Sequence, residues 1–280
     1  MNIPNEYIDI YNQYLKNINE VKKEVKYIQN IRRKAIKKGV YATEKEILNI
    51  ESNEIDDNAE LNSKKNIRKI YKFSNGDTYI GHIFENKMEG KGVYIFAEKE
   101  ELNKEKQSDN EEDSMCYIGN FSNNMKDGKG EFTFREGDIY TGFFKDDRLD
   151  GIGQMIYSSG DEYIGNWKDG QKDGIGIYRW KNGWMYIGDF KSSKMEGSGI
   201  CYDSYGNVIY GGEWKNNLIH GQGTYICDES KKYEGEFKHG KKHGQGTFYI
   251  NGELVYQGTW KFDKPSIFNM SLDEIFSLKA

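Results

Sequence analysis

The chain has 280 residues, a formal net charge of −5, 32 glycines, 21 tyrosines and two prolines. This balance disfavours a leucine-packed helical bundle and favours short strands and turns, and an aromatic content of 14% argues against disorder throughout. The sequence predicts no membrane-spanning segment and no secretory leader, and its slightly acidic charge gives no sign of nucleic-acid binding. The three cysteines lack metal-like spacing and favour a reducing, cytoplasmic setting.

Residues 1–40 predict an amphipathic, basic helix, followed by a polar linker with a short helix in it over residues 41–70. Apolar and aromatic side chains in the first segment recur at spacings of three and four, which place them along one seam of a helix. The seam is compatible with a homodimer, with packing on the rest of the chain, or with contact to an anionic membrane. Packing on protein is favoured because the seam is narrow. The basic residues assigned to assembly or lipid contact are Lys22, Lys23, Lys26, Arg32, Arg33 and Lys34.

A repeat of about 23 residues extends over residues 71–264. The string Tyr-x-Gly occurs eight times in it, and the intervals between successive tyrosines are 38, 23, 23, 23, 24, 23 and 23 residues. A Gly-x-Gly pair begins eleven residues after each of the first seven tyrosines, and an aromatic residue follows four residues after seven of the eight. Self-similarity at a fixed period predicts stacked units that stabilise one another through neighbour contacts.

The unit at residues 163–185 shows how each repeat is expected to fold. Large side chains and glycines alternate with a period of two, which predicts a strand, and the alternation returns after the polar segment 168–173, which predicts a hairpin turn. Each strand glycine is expected to let a large ring from an adjacent strand lie flat over the backbone. The residues assigned to this structural role are Tyr163, Gly165, Trp167, Gly174 and Gly176.

Two segments depart from the repeat. Residues 97–114 lengthen the first interval and are almost all polar and charged, which predicts a flexible loop. Residues 265–280 hold a capping-box pattern before an apolar run, which predicts a short helix. This helix is expected to cap the open end of the sheet, since an exposed edge invites aggregation. A docking peptide for a partner is the alternative.

The repeat resembles the MORN (membrane occupation and recognition nexus) family, whose signature is Y-x-G-x-W-x-x-G-x-x-H-G-x-G. The match is strongest at residues 163–176, 210–223 and 233–246, and the signature's histidine is present at His220 and His243. The resemblance implies a mainly β fold, an elongated single-layer antiparallel sheet of stacked β-hairpins. It also implies linkage to the cytoskeleton, cell cortex or cilium, often near membranes. A targeting or regulatory module for a phosphoinositide lipid kinase is the alternative.

The sheet face opposite the aromatic rows is expected to bind a partner. Positions one and three after the repeat tyrosine, and twelve, fourteen and sixteen after it, point away from those rows. They are apolar in the middle units and polar in the late ones. Such a patch should be covered by the chain's own helix, a second copy, or a partner helix or peptide. The residues predicted to bind the partner are Phe143, Ile152, Ile156, Ile164, Ile175, Ile177, Ile187, Ile200 and Tyr202.

No sequence motif predicts catalysis, a cofactor or a metal site. The Gly-x-Gly pairs recur as a packing device and lack the other features of a phosphate-binding loop. Three histidines and Cys227 lie near one another in the late units but do not have zinc-type spacing. No serine or cysteine lies in a recognisable nucleophile motif. We therefore expect a non-catalytic scaffold or adaptor for a protein partner.

Overall fold

The computed structural model of the chain describes residues 5–37, 68–97 and 115–266. Within these ranges it contains one helix, α1 (Asn5–Lys37), and seventeen strands, which form an open antiparallel sheet. The mainly β, antiparallel class predicted from the sequence is confirmed. Nearly all of the predicted linker, the charged loop and the C-terminal cap lie outside the described residues.

The chain divides into two compact units, which are described separately. The first contains Asn12–Ser158 and Lys168–Gly170, and the second contains Met1–Tyr11, Ser159–Trp167 and Gln171–Ala280. The strands of the first unit are β1 (Arg68–Lys72), β2 (Thr78–Phe84), β3 (Lys87–Ile95), β4 (Cys116–Ser122), β5 (Met125–Thr133), β6 (Ile139–Lys145) and β7 (Arg148–Ile156). Those of the second are β8 (Glu162–Lys168, apart from its last residue), β9 (Gln171–Arg179), β10 (Met185–Lys191), β11 (Lys194–Tyr202), β12 (Val208–Lys215), β13 (Leu218–Ile226), β14 (Lys231–Lys238), β15 (Lys241–Ile250), β16 (Glu253–Lys261) and β17 (Lys264–Pro265).

The hairpin turns are shorter than the polar segments suggested. In the repeat that begins at Tyr163, the turn consists of Asp169 (φ 49°) and Gly170 (φ 81°), and β9 already begins at Gln171. Two successive residues with positive φ form the turn whose twist matches that of the flanking strands, and Asp-Gly is a favoured sequence for it. The expected turn over residues 168–173 is therefore corrected to two residues, because polar side chains also occupy the first positions of the return strand.

The aromatic rows line one side of the sheet in each unit, which we call the aromatic face. In the first unit, the ring of Tyr117 lies edge-on to those of Phe121 and Phe144, with centroids 5.0 and 4.9 Å away. Such edge-to-face contacts add stability beyond that of buried area alone. The same pattern recurs in the second unit, in Tyr163, Trp167, Tyr186, Phe190, Tyr210, Trp214, Tyr233, Phe237, Tyr256 and Trp260.

The strand glycines leave space for the repeat tyrosine, although not in the way expected from the sequence alone. A Cβ atom on Gly176 would lie 2.5 Å from Cε2 of Tyr163, so here the ring does come from the adjacent strand. A Cβ atom on Gly165 would lie 2.5 Å from the hydroxyl oxygen of the same tyrosine, which precedes it by two residues on β8. The expectation of an adjacent-strand ring is therefore wrong for Gly165. One ring covers two glycines.

Candidate partner-binding face

The side of the sheet opposite the aromatic face, which we call the apolar face, is covered by α1 in the first unit. The helix presents aliphatic side chains to aliphatic side chains and a cysteine from β3 and β4, and each of these residues is at most 8% exposed. The cluster consists of Val21, Val25, Ile28, Val93, Cys116 and Ile118, with Ile80, Ile95 and Phe143 packed against it. The chain's own helix is thus the observed cover of this surface.

The contact surface of α1 is the seam predicted from its spacing. Tyr14, Ile18, Val21, Val25 and Ile28 are each at most 6% exposed. These residues lie three or four positions apart, so they share one face of the helix. Burying an aliphatic side chain of this size contributes about 1.5–3 kcal/mol. The seam therefore accounts for the docking of α1 without any contact from its basic side.

Charged side chains flank the seam. Glu24 lies 3.4 Å from Nζ of Lys91 and 3.9 Å from Nζ of Lys129, which is also 3.8 Å from Glu20. Exposed ion pairs of this kind are worth up to about 1 kcal/mol each. They therefore contribute more to the orientation of α1 on the sheet than to the free energy of its docking.

A partly buried carboxylate lies at the same contact. Glu131 of β5 accepts a hydrogen bond from Thr141 at 3.0 Å and one from the Gln29 amide of α1 at 3.5 Å. Burial raises the pKa of Glu131, and the Thr141 hydrogen bond and the nearby charge of Lys22 oppose that rise. The Thr141 hydrogen bond and the Lys22 charge thus partly offset the cost of placing this carboxylate at the helix–sheet contact.

The second unit has an apolar cluster of its own on the face predicted to bind a partner. Ile177, Ile187 and Tyr202 are between 1 and 6% exposed, and Ile200 packs against them. Tyr11, from the start of α1, packs against the same cluster. Four of the nine predicted partner-binding residues therefore lie together, beneath the first turns of the helix.

The other five predicted residues have different surroundings. Phe143 packs against the α1 cluster of the first unit. Ile164 is 3% exposed, whereas Ile156 is 43% exposed near the end of β7. Ile152 and Ile175 are partly buried.

Sequence reasoning missed Val93 and the two isoleucines that flank it, Ile80 and Ile95. A signal for them was present, because Ile80, Val93 and Ile95 lie one, fourteen and sixteen residues after Tyr79. These are repeat positions that define the apolar face. The interval of 38 residues between Tyr79 and Tyr117 obscures the equivalence of this repeat to the others.

The described basic residues of α1 lie outside the buried seam, although the charge of Lys22 acts on Glu131. Lys22, Lys23 and Lys26 are exposed. The side chains of Arg32, Arg33 and Lys34 lie outside the described residues. Among the side chains that are described, no three of the types His, Cys, Asp and Glu are grouped so as to hold a metal ion. In the described part of the chain, no helix combines the length and apolar character needed to cross a membrane.

Comparison with known proteins identifies the repeats. The MORN repeat profile matches residues 79–99, 117–139, 140–162, 163–185, 186–208, 210–229, 233–253 and 256–266, more than half of the chain. Among solved structures, the chain is similar to the TCP10 domain of Danio rerio CPAP, with 14% identity, a TM-score of 0.30, and 70% of this chain and 81% of that chain covered.

A second similar structure is the SAS-4 (dCPAP) TCP domain of Drosophila melanogaster in complex with a proline-rich motif of Ana2 (dSTIL). It has 10% identity and a TM-score of 0.30, with 74% of this chain and 99% of that chain covered. A comparison with curated protein sequences gives no match.

Proposed function

Because the chain belongs to the MORN-repeat family, we propose that it is a non-catalytic scaffold that binds a protein partner through a helix on the apolar face of its sheet. The observation that carries this proposal is the packing of Val21, Val25 and Ile28 of α1 against Val93 and Ile118. The sheet accepts an amphipathic helix there through an aliphatic seam. A partner helix with the same spacing would meet the same surface.

The seam is narrow enough to be open to competition. In its described part it consists of five buried side chains, Tyr14, Ile18, Val21, Val25 and Ile28, none of which is a leucine. The flanking ion pairs add little, because they are partly exposed to water. A partner helix that keeps these apolar positions and extends the seam beyond them would bury more apolar area and displace α1.

A peptide of residues 5–37 tests the proposal. The full-length Val21→Asp, Val25→Asp variant should release its own helix, because two carboxylates cannot be buried against Val93 and Cys116 without a partner. A fluorescent peptide of the natural sequence should then bind the variant saturably, as measured by anisotropy. The unmodified chain should bind the peptide at least about tenfold more weakly, since its tethered helix occupies the face at a high effective concentration.

The matched control is the same peptide carrying both aspartates, which should bind neither protein. Circular dichroism and the denaturation midpoint of the double variant establish that its sheet remains folded. A folded variant that does not bind the natural peptide would overturn the proposal of a helix-binding face.

A membrane role is the second candidate, and the exposed lysines Lys22, Lys23 and Lys26 favour it. A basic helix surface attracts anionic lipid headgroups, which would make the chain a targeting module for a phosphoinositide lipid kinase. Sedimentation with vesicles that contain a phosphoinositide tests this candidate. Binding that is the same after all three lysines are changed to glutamate would exclude this helix surface as the lipid contact.

The family resemblance supports a cytoplasmic location at the cytoskeleton, cell cortex or cilium.

A homodimer, in which the seam of α1 contacts a second copy of the chain, is an alternative use of the same residues. The solution mass of the full chain, compared with that of the Val21→Asp, Val25→Asp variant, decides it, since a dimer through the seam would become a monomer.

A further inference from the structure

The helix α1 carries different charges on the two sides of its buried seam. Glu20, Glu24 and Tyr27 follow one another at spacings of four and three residues, so they share one side, which we call the acidic flank. Lys22 and Gln29 lie two helical turns apart and share the other side, which we call the basic flank. The aliphatic seam lies between the two flanks. A surface that binds this helix therefore meets a different chemistry on each side.

Two lysines of the sheet contact the acidic flank. Nζ of Lys91 on β3 lies 3.4 Å from Glu24 and 5.6 Å from the ring centroid of Tyr27. Nζ of Lys129 on β5 lies 3.8 Å from Glu20 and 3.9 Å from Glu24. These two amines give one side of the helix-binding surface a positive charge.

A carboxyl group lies on the other side of the same surface. Glu131 on β5 accepts a hydrogen bond of 3.5 Å from the side-chain amide of Gln29. Burial raises the pKa of Glu131, and the charge of Lys22 opposes this rise, so the two side chains are close enough to interact. From the sheet, Thr141 donates a hydrogen bond of 3.0 Å to the same carboxyl group. The surface thus matches the basic flank of α1 as well as the acidic one.

The repeat itself does not require the two lysines. Lys91 and Lys129 lie twelve residues after the repeat tyrosine, and the same position holds Ile152 and Ile175 in the next two repeats. Serine or glutamine occupies it in the three repeats that follow. The stacked hairpins therefore accept apolar, polar or charged side chains at this position. Since both lysines contact α1, their presence there indicates recognition of a helix and not a need of the sheet.

We propose that the apolar face of the first unit selects its partner helix by charge and by direction. It takes an amphipathic helix that has acidic residues four apart on one flank of an aliphatic seam and a basic or amide side chain on the other. A helix turned end for end would exchange its flanks, so its acidic residues would meet Glu131 and its basic residues would meet Lys91 and Lys129. Complementary charges of this kind contribute more to specificity than to affinity.

This inference rests on the proposed function and defines the chemistry of its partner. A second copy of the chain would offer only a helix that already lies on its own sheet, where the tether gives it a high effective concentration. The occupant is therefore a helix of another protein that repeats the charge pattern of α1.

Two peptides of identical composition test the inference. The receptor is the full-length Val21→Asp, Val25→Asp protein, which we call the open variant because its own helix is expected to be released. One peptide has the natural sequence of residues 5–37. The rearranged peptide carries the substitutions Lys16→Glu, Glu20→Lys, Lys23→Glu and Glu24→Lys. Because Lys16 and Lys23 are exposed, these changes move the acids to the outer side of the helix and keep the net charge and the seam. Circular dichroism checks that the two peptides have equal helix content.

Fluorescence anisotropy at low ionic strength measures the two affinities. The rearranged peptide should bind the open variant at least about fivefold more weakly, because it loses the ion pairs and brings like charges toward Lys91 and Lys129. The difference should shrink in salt of about 0.5 M, which screens partly exposed charges. Adding Lys91→Glu and Lys129→Glu to the open variant should reverse the preference, since the acidic flank would then be repelled.

The outcomes separate this inference from the proposed function. Equal affinities of the two peptides, or a preference that the lysine substitutions leave unchanged, would overturn the charge selection and leave the helix-binding face in place. Failure of both peptides to bind the open variant would overturn the face and the charge selection together. A dimeric solution mass of the unmodified chain would make a second copy the occupant and would overturn its assignment to another protein.

Discussion

The hydroxyl of Tyr140 donates a hydrogen bond of 2.9 Å to the backbone carbonyl oxygen of Phe143, three residues along the same strand. The register between β6 and β7 shifts between Gly142 and Phe144, so Phe143 has no partner on β7. Gly151, opposite it, has a φ of 97°, which favours glycine. The tyrosine hydroxyl thus takes the place of the donor that the bulge in the ladder removes.

This relationship explains why each repeat begins with tyrosine and not phenylalanine. The same bond recurs with lengths of 2.8–3.0 Å. It joins Tyr79 to His82, Tyr117 to Asn120, Tyr163 to Asn166, Tyr186 to Asp189, Tyr210 to Glu213, Tyr233 to Glu236 and Tyr256 to Thr259. A single side chain covers the glycines and completes the hydrogen bonding of the bulge.

Tyr140→Phe should therefore destabilise the protein although it keeps the ring. The carbonyl of Phe143 would lose its donor in a partly buried place, which costs about 1–3 kcal/mol. Urea denaturation followed by circular dichroism measures the change. Tyr205→Phe is the control, because Tyr205 is 89% exposed and its change should stay within about 0.5 kcal/mol. Equal denaturation midpoints for the two variants would contradict this role of the hydroxyl.

Stability should fall at alkaline pH for the same structural reason. Burial raises the pKa of Tyr117 and Tyr140 in the folded chain, and their hydrogen bonds to backbone carbonyls only partly counter this. In the unfolded chain tyrosine ionises near pH 10. The contribution of these groups is therefore fully present below about pH 10 and is lost as the pH rises above that value toward the folded pKa.

Unfolding by urea at a series of pH values between 8 and 11.5, together with tyrosinate absorbance, checks this expectation. The absorbance change should be delayed in the folded protein and should coincide with unfolding. A denaturation midpoint that is flat to pH 11.5 would show that the buried tyrosines ionise as freely as those of the unfolded chain.

Gly176→Ala should be destabilising because its new methyl group would meet the ring of Tyr163 at 2.5 Å. The ring is fully buried and cannot move without disturbing its neighbours, so a cost of about 1–3 kcal/mol is expected. Gly211→Ala is the matched control on another strand, since its methyl group would meet only Ile200, at 3.9 Å. The thermal midpoints of the two variants should differ clearly, and similar midpoints would contradict the packing role of Gly176.

The sequence predicted the repeat, the hairpins and the helix seam because each depends on a short-range period. Alternation along β8 assigns Tyr163 and Gly165 to one face, but it does not say which ring turns over which glycine. That choice depends on side-chain rotamers and on the backbone at Gly174, which has a φ of 97°. Period-two patterns do not record a local change of register.

The sequence left the surface that α1 contacts undetermined for a different reason. A seam such as Val21, Val25 and Ile28 has the same spacing whether it meets a second copy, a membrane or the sheet. The deciding feature is the complementary cluster around Val93 and Cys116. This cluster is distant from α1 in sequence, and it lies where the interval between repeats is least regular. Local periodicity identifies an apolar surface, and tertiary contacts select its partner.

The two buried cysteines provide separate reporters for opening of the helix and of the sheet. Cys116 is 8% exposed beneath α1, and Cys201 is 8% exposed in a cluster with Tyr210 and other residues of the aromatic face. Cys227 is exposed and should first be changed to serine. In that background, Val25→Asp should raise the labelling rate of Cys116 by a thiol reagent about tenfold or more, since it weakens only the helix contact.

The rate at Cys201 should stay unchanged in the same variant, because its protection depends on the sheet itself. Labelling of both cysteines is read from peptide masses, with the Cys227→Ser protein as the reference. If both rates rose together, the variant would be opening the sheet as a whole and α1 would be part of one cooperative fold. An increase confined to Cys116 would make α1 a separately releasable cover, which is the property that exchange with a partner helix requires.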